Sequence, residues 1–511
     1  IVAASSYAVL SIKDLIEDTS TTKYYYIDTE MELLLILPAL VLLVGLSVLI
    51  RRSSSSYITG RRRRAPAPAV ALHTISDPAV AHHALVEDAG AAFSNRPVPP
   101  FFESLAKRQG VQRNENVSSA PYGPHWRVLR CNITAETLHP SRLAGHLAPL
   151  QTEAIQGLVA ALRSAATEPR AVAVVVREHL EAAVYGVVVR LCFGQGAVDE
   201  CQVRAMCSAT KGFQLAIGAV GVLRATVTRL AHWRQQRRLF ACHDRLAQLC
   251  LPLIAARRRR NDLDADAVCR PYVDSFARIR VPDDDGGQRA LTDDEMVSLV
   301  LEFLGAGAGP VVACLEWTLA HLVAQPDVQE KLRREVEEAD RGDRAQQLIR
   351  GMPYLHAVVL ESLRMHPPVP VAARFVKGDA AAAAIARHVG KSDDLVVMLF
   401  LLGDMGRDSK TWKDPEEFRP ERFLPGGEAE SVGPLPGRKE TRMMPFGAGH
   451  RFCPGVGLAM ALVKSFLAAL VREFEWAPPP PTDAAVDLTE LDGFLKTMKK
   501  QLSARLTPRR T

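Results

Sequence analysis

The nine cysteines of this 511-residue chain include no C-x-x-C pair. That argues against a zinc site or a disulfide framework, both of which draw on closely spaced thiols. The expected state is reduced and cytosol-facing, with eight of the nine cysteines as core or incidental residues. Neither sign of charge dominates, since 63 basic and 57 acidic residues leave a net charge of +6. The basic residues fall in short runs, and no nucleic-acid partner is expected. No internal repeat is found, which argues against repeat architectures. With 48% apolar and 23% charged residues, the composition is that of an ordinary globular protein with a large core.

One apolar run stands out. Leu33 to Ile50 is 18 uninterrupted apolar or small residues, about the minimum for a helix that crosses a bilayer. Asp28, Glu30 and Glu32 precede it, whereas Arg51, Arg52 and Arg61 to Arg64 follow. This asymmetry predicts a transmembrane anchor with the body behind it in the cytoplasm. A cleaved signal peptide would carry its positive charges ahead of the run. Membrane lipid is therefore an expected partner. Residues 1–32 read as an extension of uncertain origin, because Met31 stands directly before the run while the chain begins at Ile1. Residues 51–70 read as a basic and proline-rich linker.

The densest chemical signal lies near the C-terminus. Phe446-Gly447-Ala448-Gly449-His450-Arg451-Phe452-Cys453-Pro454-Gly455 fits F-x-x-G-x-R-x-C-x-G at all five fixed positions. This pattern suits holding haem iron by a cysteine thiolate, which pushes electron density onto the iron and favours O–O cleavage. A helix is expected from Pro454 to about Arg472, with Pro at the first helical position, where its missing N–H costs nothing. The positive end of that helix is expected to lower the pKa of Cys453, the metal ligand. Gly449 and Gly455 permit a tight loop and close approach to a flat cofactor. Arg451 is placed to pair with a haem propionate, and Phe446 to pack beside the ring. The bland alternative is a free buried cysteine in a Gly-rich loop.

Three further motifs stand upstream. Trp126 and Arg130 form W-x-x-x-R within Tyr122 to Arg130. Glu361-Ser362-Leu363-Arg364 is E-x-x-R, with its two charged ends on one helix face. Pro420-Glu421-Arg422-Phe423 reads P-E-R-F. With the cysteine loop, these resemble the cytochrome P-450 superfamily of haem-thiolate monooxygenases, plant microsomal members in particular, from about Ala71 to the C-terminus. The resemblance implies a mainly α fold: one helical catalytic domain over 71–511 with small β-sheets, behind an N-terminal transmembrane anchor helix. It implies haem b on Cys453, propionate contacts from Trp126 and Arg130, and a structural triad of Glu361, Arg364 and Arg422. Arg374 is a further propionate candidate. It also implies electrons from NADPH through a partner reductase, an endoplasmic reticulum location, and insertion of one oxygen atom of O2 into an apolar small molecule. Substrate is expected against Phe303 and near Phe101 and Phe102, positions that also suit plain core.

Two departures from the family pattern bear on activity. Thr292-Asp293-Asp294-Glu295 is a capping box, and the apolar helix it opens is expected to reach about Val323. In the family this helix carries A-G-x-[D/E]-T, whose acid and alcohol relay protons to bound dioxygen. Here the text is Ala306-Gly307-Ala308-Gly309-Pro310. The small residues remain, but neither Gly309 nor Pro310 can pass a proton. Two alternatives therefore stand beside the monooxygenase: an enzyme acting on peroxides or hydroperoxides, and a catalytically impaired haem protein. The second departure lies after Pro68, where the first helix and first strands of the family's small sheet are expected. The text resumes at Leu72 as if partway through, so the N-terminal part of the domain reads as truncated.

Elsewhere, helical spacing recurs through 140–165, 174–194, 201–250 and 326–339. Arg257 to Arg260 is expected to open a charged loop.

Overall fold

The computed structural model describes residues 71–509, apart from 88–90, 99, 110–114, 169–171, 224–228, 261–269, 284, 341–350, 378–394, 438, 480–484 and 492. The expected extension, anchor and linker over residues 1–70 lie outside the described residues.

Helices of ten residues or more are α1 Pro100–Gln109, α2 Pro124–Glu136, α3 Pro140–Thr167, α4 Arg177–Phe193, α5 Glu200–Leu223, α6 Arg229–Arg260, α7 Asp293–Ala324, α8 Pro326–Asp340, α9 Pro353–Met365 and α10 Val456–Glu473. The strands are β1 Ala71–Ile75, β2 Val174–Val175, β3 Val281–Pro282, β4 Gln288–Arg289, β5 Val371–Lys377, β6 Leu395–Leu401, β7 Phe474–Ala477, β8 Glu490–Leu491, β9 Thr497–Met498 and β10 Ser503–Pro508. The mainly helical class with small sheets is as predicted.

The axis of the domain is α7. Its start is fixed locally, as the sequence predicts: Glu295 N–H donates to Thr292 Oγ1 at 3.2 Å, and Thr292 N–H donates to Glu295 Oε2 at 2.8 Å. The helix spans 32 residues, about 48 Å at the usual rise. Apolar over most of its surface, it packs on α4, α6, α9 and α10, with Trp317 wholly buried. A helix this apolar belongs in the core of a large protein.

β1 pairs in parallel with β6, from Ala71 opposite Val396 to Ile75 opposite Phe400, and β5 pairs antiparallel on the other side of β6. Val396, Met398 and Phe400 alternate along β6 and are fully buried, the period of two that a sheet with one covered face requires. The text that resumes at Leu72 thus enters directly as an edge strand of this sheet.

Three expectations on the elements need correction. Residues 174 and 175 form β2, paired with β10, and the helix begins only at Arg177. The 201–250 stretch divides into α5 and α6. Arg257 to Arg260 forms the last turn of α6 rather than a loop, a position where cations complement the helix dipole. There Arg257 is held to Asp274 at 2.9 and 2.5 Å.

Candidate active site

The cysteine loop closes on itself. Cys453 N–H donates to Phe446 O at 2.9 Å, Phe452 N–H to Gly449 O at 3.1 Å, and Gly447 N–H to Met444 O at 2.8 Å. Gly449 has φ +65, and a Cβ there would stand 2.3 Å from Leu85 O, so no other residue fits. Gly455 differs: its φ of −91 is ordinary, and its N–H donates to Cys453 Sγ at 3.3 Å. Phe446 packs against the main core.

The helix behind the loop starts at Val456 with Gly455 as its N-cap, so Pro454 lies in the turn before it rather than at the first helical position. The pKa expectation is also corrected. Burial pushes the Cys453 thiol up, outweighing the Gly455 N–H and the charges of Arg130 and Arg96, which pull it down. The free thiol is therefore the favoured form until a metal binds, whose own charge deprotonates it.

Four arginines, 96, 130, 374 and 451, gather around this loop. Arg96 Nη2 donates to Arg451 O at 3.1 Å. Arg374 is 1% exposed and its Nε has no partner among the described residues. Burial first, then the neighbouring Arg96 and Arg451, push Arg374 down to about 9. Burial and Arg96 push Arg451 down to about 10. An arginine in a protein does not give up its proton readily, so these shifts mark positive charge awaiting an anion. Haem b presents two carboxylates and an iron that takes a thiolate, and the arginines and Cys453 fit that group. When bound, it supplies the iron centre at which dioxygen is activated.

The expected propionate contacts are placed unevenly. Arg130 lies over the Phe452 ring at 4.8 Å and feels the Cys453 charge. Trp126 donates its indole N–H to Val117 O at 3.1 Å. All three Arg451 nitrogens donate to the carbonyls of Ser94, Val117 and Ala120, at 2.6, 2.9 and 2.5 Å. Arg451 therefore secures the surrounding loops with three of its five N–H groups. Arg374, the lesser candidate in sequence, has the uncommitted donor. Arg96 carries no motif and was missed; only its place beside the Arg451 carbonyl reveals it. An Arg374→Leu variant is expected to leave the haem-free protein at least as stable, because it removes an uncompensated buried charge. Haem affinity should drop about tenfold or more, since a charge-assisted bond is lost. Haem titration and thermal denaturation measure the two effects separately.

The triad forms as predicted. Arg364 Nε and Nη2 donate to the two oxygens of Glu361 at 2.7 and 2.8 Å, and Arg422 Nε reaches Glu361 Oε1 at 3.2 Å. All three side chains are fully buried.

On α7, Ala306 is exposed while its neighbours Leu304, Gly305 and Ala308 are buried, so the helix is uncovered at this residue. A side chain from α5 packs against the glycines of this segment. Gln214 Nε2 donates to Gly305 O at 3.0 Å. A Cβ on Gly309 would lie 3.4 and 3.5 Å from the Gln214 amide atoms and 2.7 Å from Leu495 Cδ1. The glycines at 305 and 309, one turn apart, thus form a groove for α5. Phe303 turns away, packing on Tyr272 at 4.8 Å, and is a core residue rather than a substrate contact. Phe101 meets Phe213 and Phe240 at 5.1 and 5.4 Å, tying α1 to α5 and α6. Glu302, one turn before Ala306, was also missed. Burial pushes its carboxyl up, against the pull of hydrogen bonds from Val117 and Ser118.

A half-buried cysteine loop with arginines gathered around it, in a domain built on a long central helix, defines a haem-thiolate protein. The cytochrome P-450 family model matches residues 69–503, and the chain belongs to that family. It is 31% identical to cytochrome P-450 89A9 of Arabidopsis thaliana over 87% of both chains. It is 32% identical to cytochrome P-450 78A11 of Oryza sativa subsp. japonica, over 85% of this chain and 77% of that one. A zebra fish cytochrome P-450 solved with progesterone shares the fold, with TM-score 0.67 at 21% identity, over 86% of this chain and 94% of that one. The chain is accordingly a haem-dependent monooxygenase by family, an oxidoreductase acting on small molecules. The peroxide-acting and impaired alternatives are not favoured by these likenesses.

Proposed function

We propose that this chain inserts one oxygen atom from O2 into an apolar small molecule, using NADPH electrons delivered by a partner reductase. The carrying observation is Cys453 set among four arginines whose charge Glu302 offsets only in part, with no carboxylate acting on Arg374. Cys453 would ligate the haem iron, and Arg374 and Arg96, with the charges of Arg130 and Arg451, would hold the haem carboxylates. Phe446, Gly449 and Gly455 shape the ligand loop, and Trp126 steadies its neighbour. Ala306 and Gly307 leave room for dioxygen and substrate. The apolar run at 33–50 with arginines behind it supports anchoring in the endoplasmic reticulum membrane, with the domain over 71–511 in the cytosol.

A carbon-monoxide difference spectrum tests this reading, with reduction once by dithionite and once by NADPH with reductase. A thiolate-type band is expected under both conditions. A band with dithionite alone would remove the reductase from the proposal, and no band at all would remove haem-thiolate ligation.

The distal departures have opposite expected consequences. Restoring the acid as Gly309→Asp forces a side chain into Leu495 and Gln214, at about 1–3 kcal/mol for overpacking, and should lower the melting temperature. Pro310→Thr returns a backbone donor inside α7, where proline typically costs about 3 kcal/mol, and adds a hydroxyl. It should raise both the melting temperature and the product formed per NADPH, while peroxide release falls.

A further inference from the structure

One peptide unit joins the two faces of the site. Val117 N–H donates to Glu302 Oε2 at 2.9 Å, and Ser118 N–H donates to Glu302 Oε1 at 2.6 Å. On its other side, Val117 O accepts from Trp126 Nε1 at 3.1 Å and from Arg451 Nη1 at 2.9 Å. The bridge therefore runs from α7, one turn before Ala306, to a residue two positions before Cys453. The turn it grips is internally braced: Ala120 N–H donates to Asn116 O at 2.9 Å, and Asn116 Oδ1 accepts from Ser118 N–H and Ser119 N–H at 3.1 and 3.0 Å.

A carboxylate in this place is costly unless it is used. Glu302 interrupts the apolar run of α7, and burial disfavours its charge. Its two oxygens take two backbone amides and the Ser118 side chain, all from one turn, a geometry that anchors a loop. Arg96 stands close enough to favour the charge.

We propose that Glu302 is a positioning residue for haem. By holding the Val117 and Ser118 amides it fixes the turn at 116–120, and through Val117 O it sets the Trp126 indole and the Arg451 guanidinium around the cofactor's carboxylates. The proposal rests on the haem-thiolate reading above. It concerns residues on α7 and in the 116–120 turn that the sequence motifs do not mark.

The test uses the full chain, wild type and as Glu302→Ala and Glu302→Gln. Backbone amide exchange at residues 117 and 118 is measured in the haem-free and haem-loaded forms, and haem release is followed by transfer to an apo-globin. In Glu302→Ala, exchange at these two amides should quicken about tenfold to a hundredfold, with amides of α9 and α10 unchanged, and haem release should quicken about tenfold. Glu302→Gln keeps the shape and one acceptor oxygen, and should return part of both. If the alanine variant does not fold, the glutamine variant carries the test. Unchanged exchange would overturn the clamp. Faster exchange with unchanged haem release would overturn the positioning role and leave a structural one. A wild-type chain that takes up no haem would instead overturn the underlying reading, which the exchange arm does not depend on.

Discussion

A Cys453→Ala chain is expected to fold and yet show no thiolate-type band and no detectable monooxygenase turnover. The two halves of this expectation have separate causes. As a structural group the sulfur does little: it accepts one 3.3 Å hydrogen bond from Gly455 N–H, which at the usual net value costs about 1 kcal/mol to lose. The loop is closed by backbone bonds, among them Cys453 N–H to Phe446 O, which alanine keeps. As a ligand the sulfur has no substitute among the described residues, which include no cluster of metal-binding side chains. A serine at 453 keeps the size but not a soft, easily ionised donor, and should behave like alanine. The measurement is the carbon-monoxide spectrum beside a melting curve. A surviving thiolate band in Cys453→Ala would sink the assignment outright.

Arg364→Ala should be the most damaging change to stability. The guanidinium binds both oxygens of Glu361 and also donates to Gly406 O, Pro415 O and Glu417 O at 2.6, 2.8 and 3.1 Å. Removing it takes the Arg364 donor from the Gly406 and Pro415 carbonyls, leaves Glu417 O with only the 3.4 Å bond from Arg422, and leaves Glu361 with Arg422 as its remaining cationic partner, in a place no water reaches. Breaking a buried ion pair from one side costs about 3–5 kcal/mol, a large part of the roughly 5–15 kcal/mol that holds a protein folded. Arg364→Lys should not rescue it, because an ammonium is a point donor and cannot serve a carboxylate and three carbonyls at once. Soluble yield and the denaturation midpoint read the effect. A loss below about 1 kcal/mol would show that the triad is not needed for the fold.

What could be read from the chain alone was short in range. The capping box at Thr292 and Glu295, the pairing of Glu361 with Arg364 and the closed loop around Cys453 each lie within a few residues, where backbone geometry leaves few choices. The family resemblance then supplied the order in which these pieces assemble, and Arg422 joined the triad as it implies. Two of the misplaced boundaries depend on longer range: residues 174 and 175 gain strand partners, and Arg257 gains Asp274, only once other segments fold back.

The chain's own letters settle which chemistry it carries, because the spacing from Phe446 to Gly455 makes one loop and puts one sulfur at its end. They do not say how that chemistry is held. Arg96 and Arg451 are 355 positions apart, Gln214 and Gly305 are 91 apart, and Glu302 and Val117 are 185 apart. No periodicity links residues at such distances. Packing of α5 into the Gly305 and Gly309 groove, and of the 116–120 turn between α7 and the cysteine loop, brings them together. Tertiary structure alone therefore decided that Arg374 Nε has no partner among the described residues, that Arg451 braces its neighbours, and that the Gln214 amide from α5 packs against Gly305 and Gly309.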